Sequence, residues 1–113
     1  MQTRQIRTKD WGLKLNLVSK KLADRYVNIE VIGKDIGDQV VAKSVHLKGL
    51  TYDPHGQQVE ISSDSFNHTI PSPSEIYFTS EEENLESIQS IEFVDDKKRQ
   101  HIVTFDAPLL LSN

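Results

Sequence analysis

The chain has 113 residues, of which 36% are hydrophobic and 27% charged, and its formal net charge is −4. This length is typical of one domain, and the Val, Ile, Leu and Phe residues that recur throughout exclude a long disordered protein. No apolar run approaches the roughly 20 residues that cross a bilayer, and the N-terminus lacks an apolar signal-peptide core, so we expect a cytoplasmic protein without a membrane segment.

Charge is divided unevenly along the chain. Residues 1–25 hold seven Lys or Arg residues and two acidic ones, a net of +5, which leaves −9 for the other 88 residues. This division fits either a basic face for an acidic partner or an N-terminal helix that lies against an acidic sheet. We favour the second interpretation.

The N-terminal part predicts an arm followed by a helix. Residues 1–8 form the arm. The next apolar residues recur at the spacing of one helix face: Trp11, Leu15, Val18 and Leu22. Because Lys20 and Lys21 suit the C-terminal end of a helix, we predict a helix over residues 9–23.

Residues with β-branched side chains predict strands over the rest of the chain. Residues 26–32 form the first strand, and residues 39–52 form a longer one that we expect to bend or bulge at Gly49. The Asp-Pro-His-Gly sequence at 53–56 has the preferences of a type I turn. Residues 81–86 predict a solvated loop or a short helical turn. Further extended segments are predicted at 59–61, 66–70, 76–78, 88–94 and 100–105.

These elements predict an α+β fold. An N-terminal helix packs on a six- or seven-stranded, mainly antiparallel sheet that is strongly bent or forms a small barrel. Residues 1–113 form a single domain, with a strand-rich body at 25–106 and an apolar tail at 107–113. Because an exposed apolar tail is a liability, we expect it to lie under the helix or to pair across a dimer, which leaves a homo-oligomer open.

A series of short motifs follows in a fixed order along nearly the whole chain. They are Asp10-Trp11, residues 27–37, 47–54, 59–61 and 68–71, Pro73, Ile76-Tyr77, and the hairpin from 91–95 to 102–103. No single motif is specific, but their order resembles the small bacterial proteins grouped as domain of unknown function 5335. The resemblance implies a stand-alone bacterial domain without an assigned activity, and it supplies no catalytic residue.

Four histidines are the first candidates for chemistry: His46, His55, His68 and His101. Their spacing matches no His-x-His or His-Glu-x-x-His metal motif, so we predict neither a metal site nor a cofactor. Distant residues can still converge in a barrel. The open alternative is a metal site made by two histidines with Asp53 or Glu60.

Enzymatic signatures are weak. Asp64, Ser65 and His68 have the residue types of a nucleophilic triad, but they lie close together in sequence and lack the Gly-x-Ser-x-Gly turn. The glycines form no phosphate-binding loop, and the absence of cysteine excludes a thiol nucleophile. We therefore predict a non-enzymatic protein.

The leading functional prediction is a protein-binding or accessory module. We expect an unidentified partner protein to bind at an edge strand or on a face bearing Tyr52, Asp53, His55 and His68, since binding groups gather on loops near turns. The alternative is an Sm-like small barrel that binds RNA through a basic hairpin tip, formed by Lys97, Lys98 and Arg99. The acidic remainder of the chain and the scarcity of exposed aromatic residues disfavour nucleic acid.

Overall fold

The computed structural model describes residues 1–23, 25–80 and 86–111. Its elements are β1 (Gln2–Ile6), a 3₁₀ turn (Thr8–Asp10), α1 (Trp11–Lys20), β2 (Tyr26–Gly33), β3 (Gly37–Asp53), β4 (Gln58–Ser63), β5 (Asn67–Pro71), β6 (Pro73–Ser80), β7 (Ser87–Asp95) and β8 (Gln100–Leu110). Apart from Glu86, the loop predicted at 81–86 lies outside the described residues. No helix in the described ranges is long and apolar enough to cross a membrane.

The fold is mainly β. In the described ranges, eight strands form one antiparallel sheet in the order β1-β6-β7-β8-β2-β3-β4-β5, and this sheet does not close. The predicted α+β fold with six or seven strands is therefore only approximate. The strand that the sequence missed is β1, which lies in the predicted arm and pairs with β6 from Gln2↔Ser80 to Ile6↔Ile76. Its polar sequence has no alternating apolar pattern, so only its distant partner defines it as a strand.

The helix is shorter than the predicted 9–23. Trp11, Leu15 and Val18 are buried, in agreement with their helical spacing. The Ser19 hydroxyl donates to the Leu50 carbonyl and accepts the Leu50 N–H, both at 2.8 Å, which ties α1 to β3. Apolar burial and these two bonds hold the helix on the sheet.

An ion pair among the described residues links the end of the basic segment to the acidic body. Arg25 pairs with Asp106 of β8 at 3.9 Å, and both side chains are partly exposed. Because water screens a pair of this kind, it contributes little to stability.

The sheet bends along the long strand β3. Its first half pairs with β2 and its second half with β4, and the register shifts between Leu47 and Gly49, as the predicted bulge requires. The predicted turn follows, where the His55 N–H donates to Asp53 Oδ1 at 3.0 Å. The bend brings β5, the last strand in the order, against β7. The bend therefore brings β5 close to a strand in the other half of the same sheet.

The apolar tail packs within its own chain. Residues 107–110 extend β8, where Leu109 pairs with Ile88 of β7 and is buried. Leu110 is 54% exposed. The Leu111 N–H donates to the Glu86 carbonyl at 2.8 Å, and its side chain packs against the core. Leu109 is therefore buried without a second copy of the chain.

Candidate functional site

Two histidines that are 33 positions apart meet where β5 approaches β8. His68 Nε2 lies 3.0 Å from His101 Nδ1, and His101 Nε2 lies 2.9 Å from Asp95 Oδ2. His101 and Asp95 are buried, with exposed fractions of 5% and 4%, whereas His68 is half-buried. We call Asp95, His101 and His68 the histidine network. It joins two strands that are not paired through their backbones.

Asp95 anchors the network at the end of β7. Its Oδ1 accepts the backbone N–H groups of Lys97 at 2.9 Å and Arg99 at 3.0 Å, which fixes the turn into β8. Burial raises the pKa of Asp95, but the hydrogen bonds from His101 and the two backbone N–H groups together outweigh burial and leave the pKa below 3.8. An ionised carboxylate therefore faces His101 at neutral pH.

His68 occupies the accessible end of the network. Burial lowers the pKa of His68 below 6.5, and the positive charge of a protonated His101 lowers it further. The carboxylate of Glu60 on β4 has the opposite, smaller effect. His68 is therefore neutral at neutral pH.

The network borders a cleft of about 380 Å³ between β5, the β2–β3 hairpin and the β7–β8 turn, which we call the β5 cleft. The hairpin contributes the apolar side chains of Val31, Ile36 and Val41. Strand β5 contributes His68, Thr69 and Pro71, and β8 contributes His101. The turn contributes two carboxylates and two cations, from Asp95, Asp96, Lys97 and Arg99. The cleft thus combines an apolar wall and two imidazoles with charged groups of both signs.

The two cations differ in their surroundings. The Arg99 guanidinium pairs with the Asp35 carboxylate in the β2–β3 turn, which lowers the pKa of Asp35 and raises that of Arg99. Lys97 makes no ion pair with any residue that the structure describes. Its ammonium group is the cation that remains for a ligand of the cleft.

Comparison with known proteins identifies the family. A family model described as a family of unknown function, DUF5335, matches residues 2–113. The chain belongs to this family. It is 36% identical over 104 residues to a protein of Aquifex aeolicus (strain VF5) described as uncharacterized, and the match covers 91% of each chain. No solved structure matches the chain. The family predicted by the resemblance is confirmed.

This DUF5335 chain distributes the four predicted partner-binding residues over separate places. Tyr52 packs edge to face on Trp11, with ring centroids 5.2 Å apart, and lines a different cleft of about 350 Å³. Asp53 and His55 are held together in their turn. His68 alone of the four lines the β5 cleft. The structure brings Asp53 and His55 together but places Tyr52 and His68 in different clefts.

The basic hairpin tip of the DUF5335 chain is also divided. Lys97 and Arg99 line the β5 cleft, whereas Lys98 has a positive φ of 67° and lines another groove beside Glu75 and Glu92. The three predicted RNA-binding residues therefore do not line one groove.

Asp95 was not predicted as a site residue, and His101 was named only as one of four candidate histidines, although its strand pattern contains a signal for its position. His101 alternates in phase with Val103 and Phe105, which are buried, so it faces the interior. His68 is likewise in phase with the buried Ile70. A histidine on the buried side of a strand needs a polar partner, so two such histidines are candidates for a hydrogen bond to each other.

The chemistry available to the network is proton sharing. Within the described parts of the chain, no hydroxyl is hydrogen-bonded to either imidazole: Thr69 donates to Glu60 at 2.9 Å, and the Ser65 N–H donates to the Ser63 hydroxyl. The same residues contain no group of three His, Cys, Asp or Glu side chains arranged to hold a metal ion. The histidines that meet are joined to Asp95, and not to Asp53 or Glu60.

Proposed function

We propose that this protein is a non-enzymatic binding module that holds an extended segment of a partner protein in the β5 cleft. The observation that carries the proposal is the position of β5, which ends the strand order and lies beside the cleft. No described strand pairs with its second edge. An unpaired edge offers backbone N–H and C=O groups to an incoming strand, and an adjacent pocket selects one of its side chains.

The apolar wall supports the same proposal. Val41 is 38% exposed although it lies beside the buried Val31. An aliphatic or aromatic side chain of a partner would cover this surface, and burial of one such side chain contributes about 1.5–3 kcal/mol. Together with a few backbone hydrogen bonds, that is enough for a modest, reversible affinity.

The histidine network fits a positioning role better than catalysis. A lone general base needs a nucleophile or a bound water and a group that stabilises developing charge, and neither imidazole is hydrogen-bonded to a described hydroxyl. The contact between His68 and His101 instead holds β5 beside β8. It thereby sets the width of the cleft.

The competing binding surfaces have less support. The other unpaired edge, β1, borders a more polar groove whose lining includes Thr3, Glu75 and Glu92. The RNA alternative needs Lys97, Lys98 and Arg99 on one surface, which the division of the hairpin tip disfavours. We therefore retain the partner-protein interpretation.

The test is a selection of random nonapeptides displayed on phage against the immobilised full chain. Enriched peptides are measured by fluorescence anisotropy on the wild-type protein and on two matched variants. Val41→Lys places a charge in the β5 cleft, whereas Val40→Lys makes the same change next to it on a side chain that is 68% exposed and lines another groove. We expect Val41→Lys to weaken binding about tenfold, and Val40→Lys to change it less than about twofold.

Thermal melts confirm that both variants fold. The proposal is contradicted if no peptide is enriched over the bare support, or if both variants bind the enriched peptides as well as the wild-type protein does.

A further inference from the structure

The contacts of the histidine network restrict where its protons lie. An ionised carboxylate only accepts hydrogen bonds, so His101 donates from Nε2 to Asp95 Oδ2. The contact between His101 Nδ1 and His68 Nε2 then requires one hydrogen between two nitrogen atoms. Either ring can carry it. With His68 neutral, the network therefore has two arrangements that preserve both hydrogen bonds.

The two arrangements differ by one proton. In the first, both rings are neutral: His68 donates from Nε2, and its Nδ1 is a bare acceptor. In the second, His101 is an imidazolium that donates to both neighbours, and the neutral His68 carries its hydrogen on Nδ1. A proton taken from solvent at His68 Nδ1, with transfer of the Nε2 hydrogen to His101 Nδ1, converts the first arrangement into the second. The added positive charge then lies beside the Asp95 carboxylate.

The protonation of His68 Nδ1 distinguishes the two arrangements. His68 Nδ1 has no hydrogen-bond partner among the described residues, it is not a buried atom, and the ring lines the β5 cleft. A group in the cleft that accepts a hydrogen bond stabilises the second arrangement, and a donor stabilises the first. A carboxylate is the strongest such acceptor in a protein.

Among the described residues, the charged groups in and around the network are Asp95 itself and five neighbours: Asp35, Glu60, Asp96, Lys97 and Arg99. Three of the carboxylates already have partners. Asp95 accepts three hydrogen bonds, and Glu60 accepts a hydrogen bond from the Thr69 hydroxyl. Asp35 pairs with Arg99. Lys97 and the exposed Asp96 remain. Asp96 also lines the cleft beside Tyr52, whereas Lys97 lines the β5 cleft. A ligand carboxylate would therefore have two donors, His68 Nδ1–H and the Lys97 ammonium.

We infer that the segment held in the β5 cleft presents a carboxylate side chain to His68 and Lys97, and that its binding stabilises the arrangement carrying the additional proton. This inference rests on the proposed function, because it names the partner class as an acidic extended peptide. By linkage, protonation of the network raises its affinity for the carboxylate by the same factor by which the bound carboxylate raises its affinity for the proton. Binding is therefore stronger at a pH at which the network already holds the proton.

The test uses benzoate as the probe, with benzamide as its neutral analogue and benzylamine as a cationic analogue. The ¹⁵N and ¹H imidazole signals of the full chain are followed from about pH 4.5 to pH 9 with and without each probe. We expect benzoate to shift the network's transition to higher pH and to protonate His68 Nδ1. Above the transition of the free protein, benzoate affinity falls about tenfold per pH unit, since one proton is taken up. Benzylamine, which only donates hydrogen bonds, should not shift the transition to higher pH, and benzamide, a neutral acceptor, should shift it less than benzoate does.

Two neighbouring lysines provide a matched control. Lys97→Gln removes the proposed second donor and should lower benzoate affinity about three- to tenfold, whereas Lys98→Gln makes the same charge change outside the cleft and should lower it less than about twofold. The inference is overturned if bound benzoate leaves the transition in place, or if the two variants bind benzoate equally.

The outcomes separate this inference from the proposed function. If selected peptides bind in a manner that depends on Val41 but show no excess of Asp or Glu and no proton uptake, the inference fails and the proposed function stands. If benzoate binds with proton uptake but no peptide is enriched, the proposed function fails, and the cleft is a carboxylate site without a peptide partner.

Discussion

Replacement of Asp95 by alanine removes the anchor of the histidine network. The carboxylate is 4% exposed and accepts three hydrogen bonds, from His101 Nε2 and from the N–H groups of Lys97 and Arg99. The variant leaves His101 buried next to a void and leaves two turn N–H groups without their acceptor. The β7–β8 turn and the junction between β5 and β8 should loosen together.

The loss of unfolding free energy is the sum of the contributions of the three hydrogen bonds that Asp95→Ala removes. The bond from buried His101 to a charged acceptor is worth about 1.5–3 kcal/mol, because water cannot replace the carboxylate there. Each turn N–H contributes about 0.5–1 kcal/mol, since water reaches the turn. We therefore expect Asp95→Ala to cost about 3–5 kcal/mol of unfolding free energy and to lower Tm by about 10–20 °C. Asp95→Asn keeps one oxygen acceptor and should cost about 1–2 kcal/mol.

Urea denaturation followed by circular dichroism at neutral pH measures these costs, with Asp96→Ala as the matched control. Asp96 is the next residue in the turn and is exposed, so its removal should change stability by less than about 0.5 kcal/mol. Because the pKa of Asp95 is below 3.8 in the folded protein, its contribution is present above that pH. It disappears as the pH falls through the lowered pKa. The reasoning is refuted if Asp95→Ala and Asp96→Ala unfold at the same urea concentration.

Three further predictions concern pH, the tail and the helix. Because the pKa of His68 is lowered on folding, stability should fall as the pH drops below about 6.5 towards the folded-state pKa, and His68→Gln should flatten that slope in melts over this range. Leu109→Ala should cost about 2–5 kcal/mol, whereas Leu110→Ala should cost less than about 0.5 kcal/mol; equal urea midpoints would contradict the packing of the tail. Ser19→Ala should cost about 1–2 kcal/mol and speed amide exchange in α1 and at Leu50, and unchanged exchange would show that these bonds do not hold the helix.

Local patterns were sufficient for most of the elements. Trp11, Leu15 and Val18 marked the buried helix face, and the residue preferences of 53–56 predicted the turn, because each depends on neighbours within a few positions. Strand β1 could not be predicted in this way. It is defined by its pairing with β6, at least 70 positions away, and its own residues carry no strand pattern.

The candidate site also depends on contacts between residues that are far apart in the sequence. Alternation with Val103 and with Ile70 places His101 and His68 on the inner side of their strands, so their burial could be anticipated. Their meeting depends on how far β3 bends the sheet, and the register shift at Gly49 does not specify that angle. The sequence therefore indicated His68 as a site residue but joined it with Tyr52, which the bend places in another cleft.

The most direct test of the account is an amide chemical-shift map of the full chain titrated with an enriched peptide. We predict that the shift changes fall on β5, on the β2–β3 hairpin around Val31 and Val41, and on the β7–β8 turn from Asp95 to His101, which together line the β5 cleft. Shift changes confined to β1, or to the cleft beside Tyr52, would contradict the assignment of the β5 cleft as the binding site.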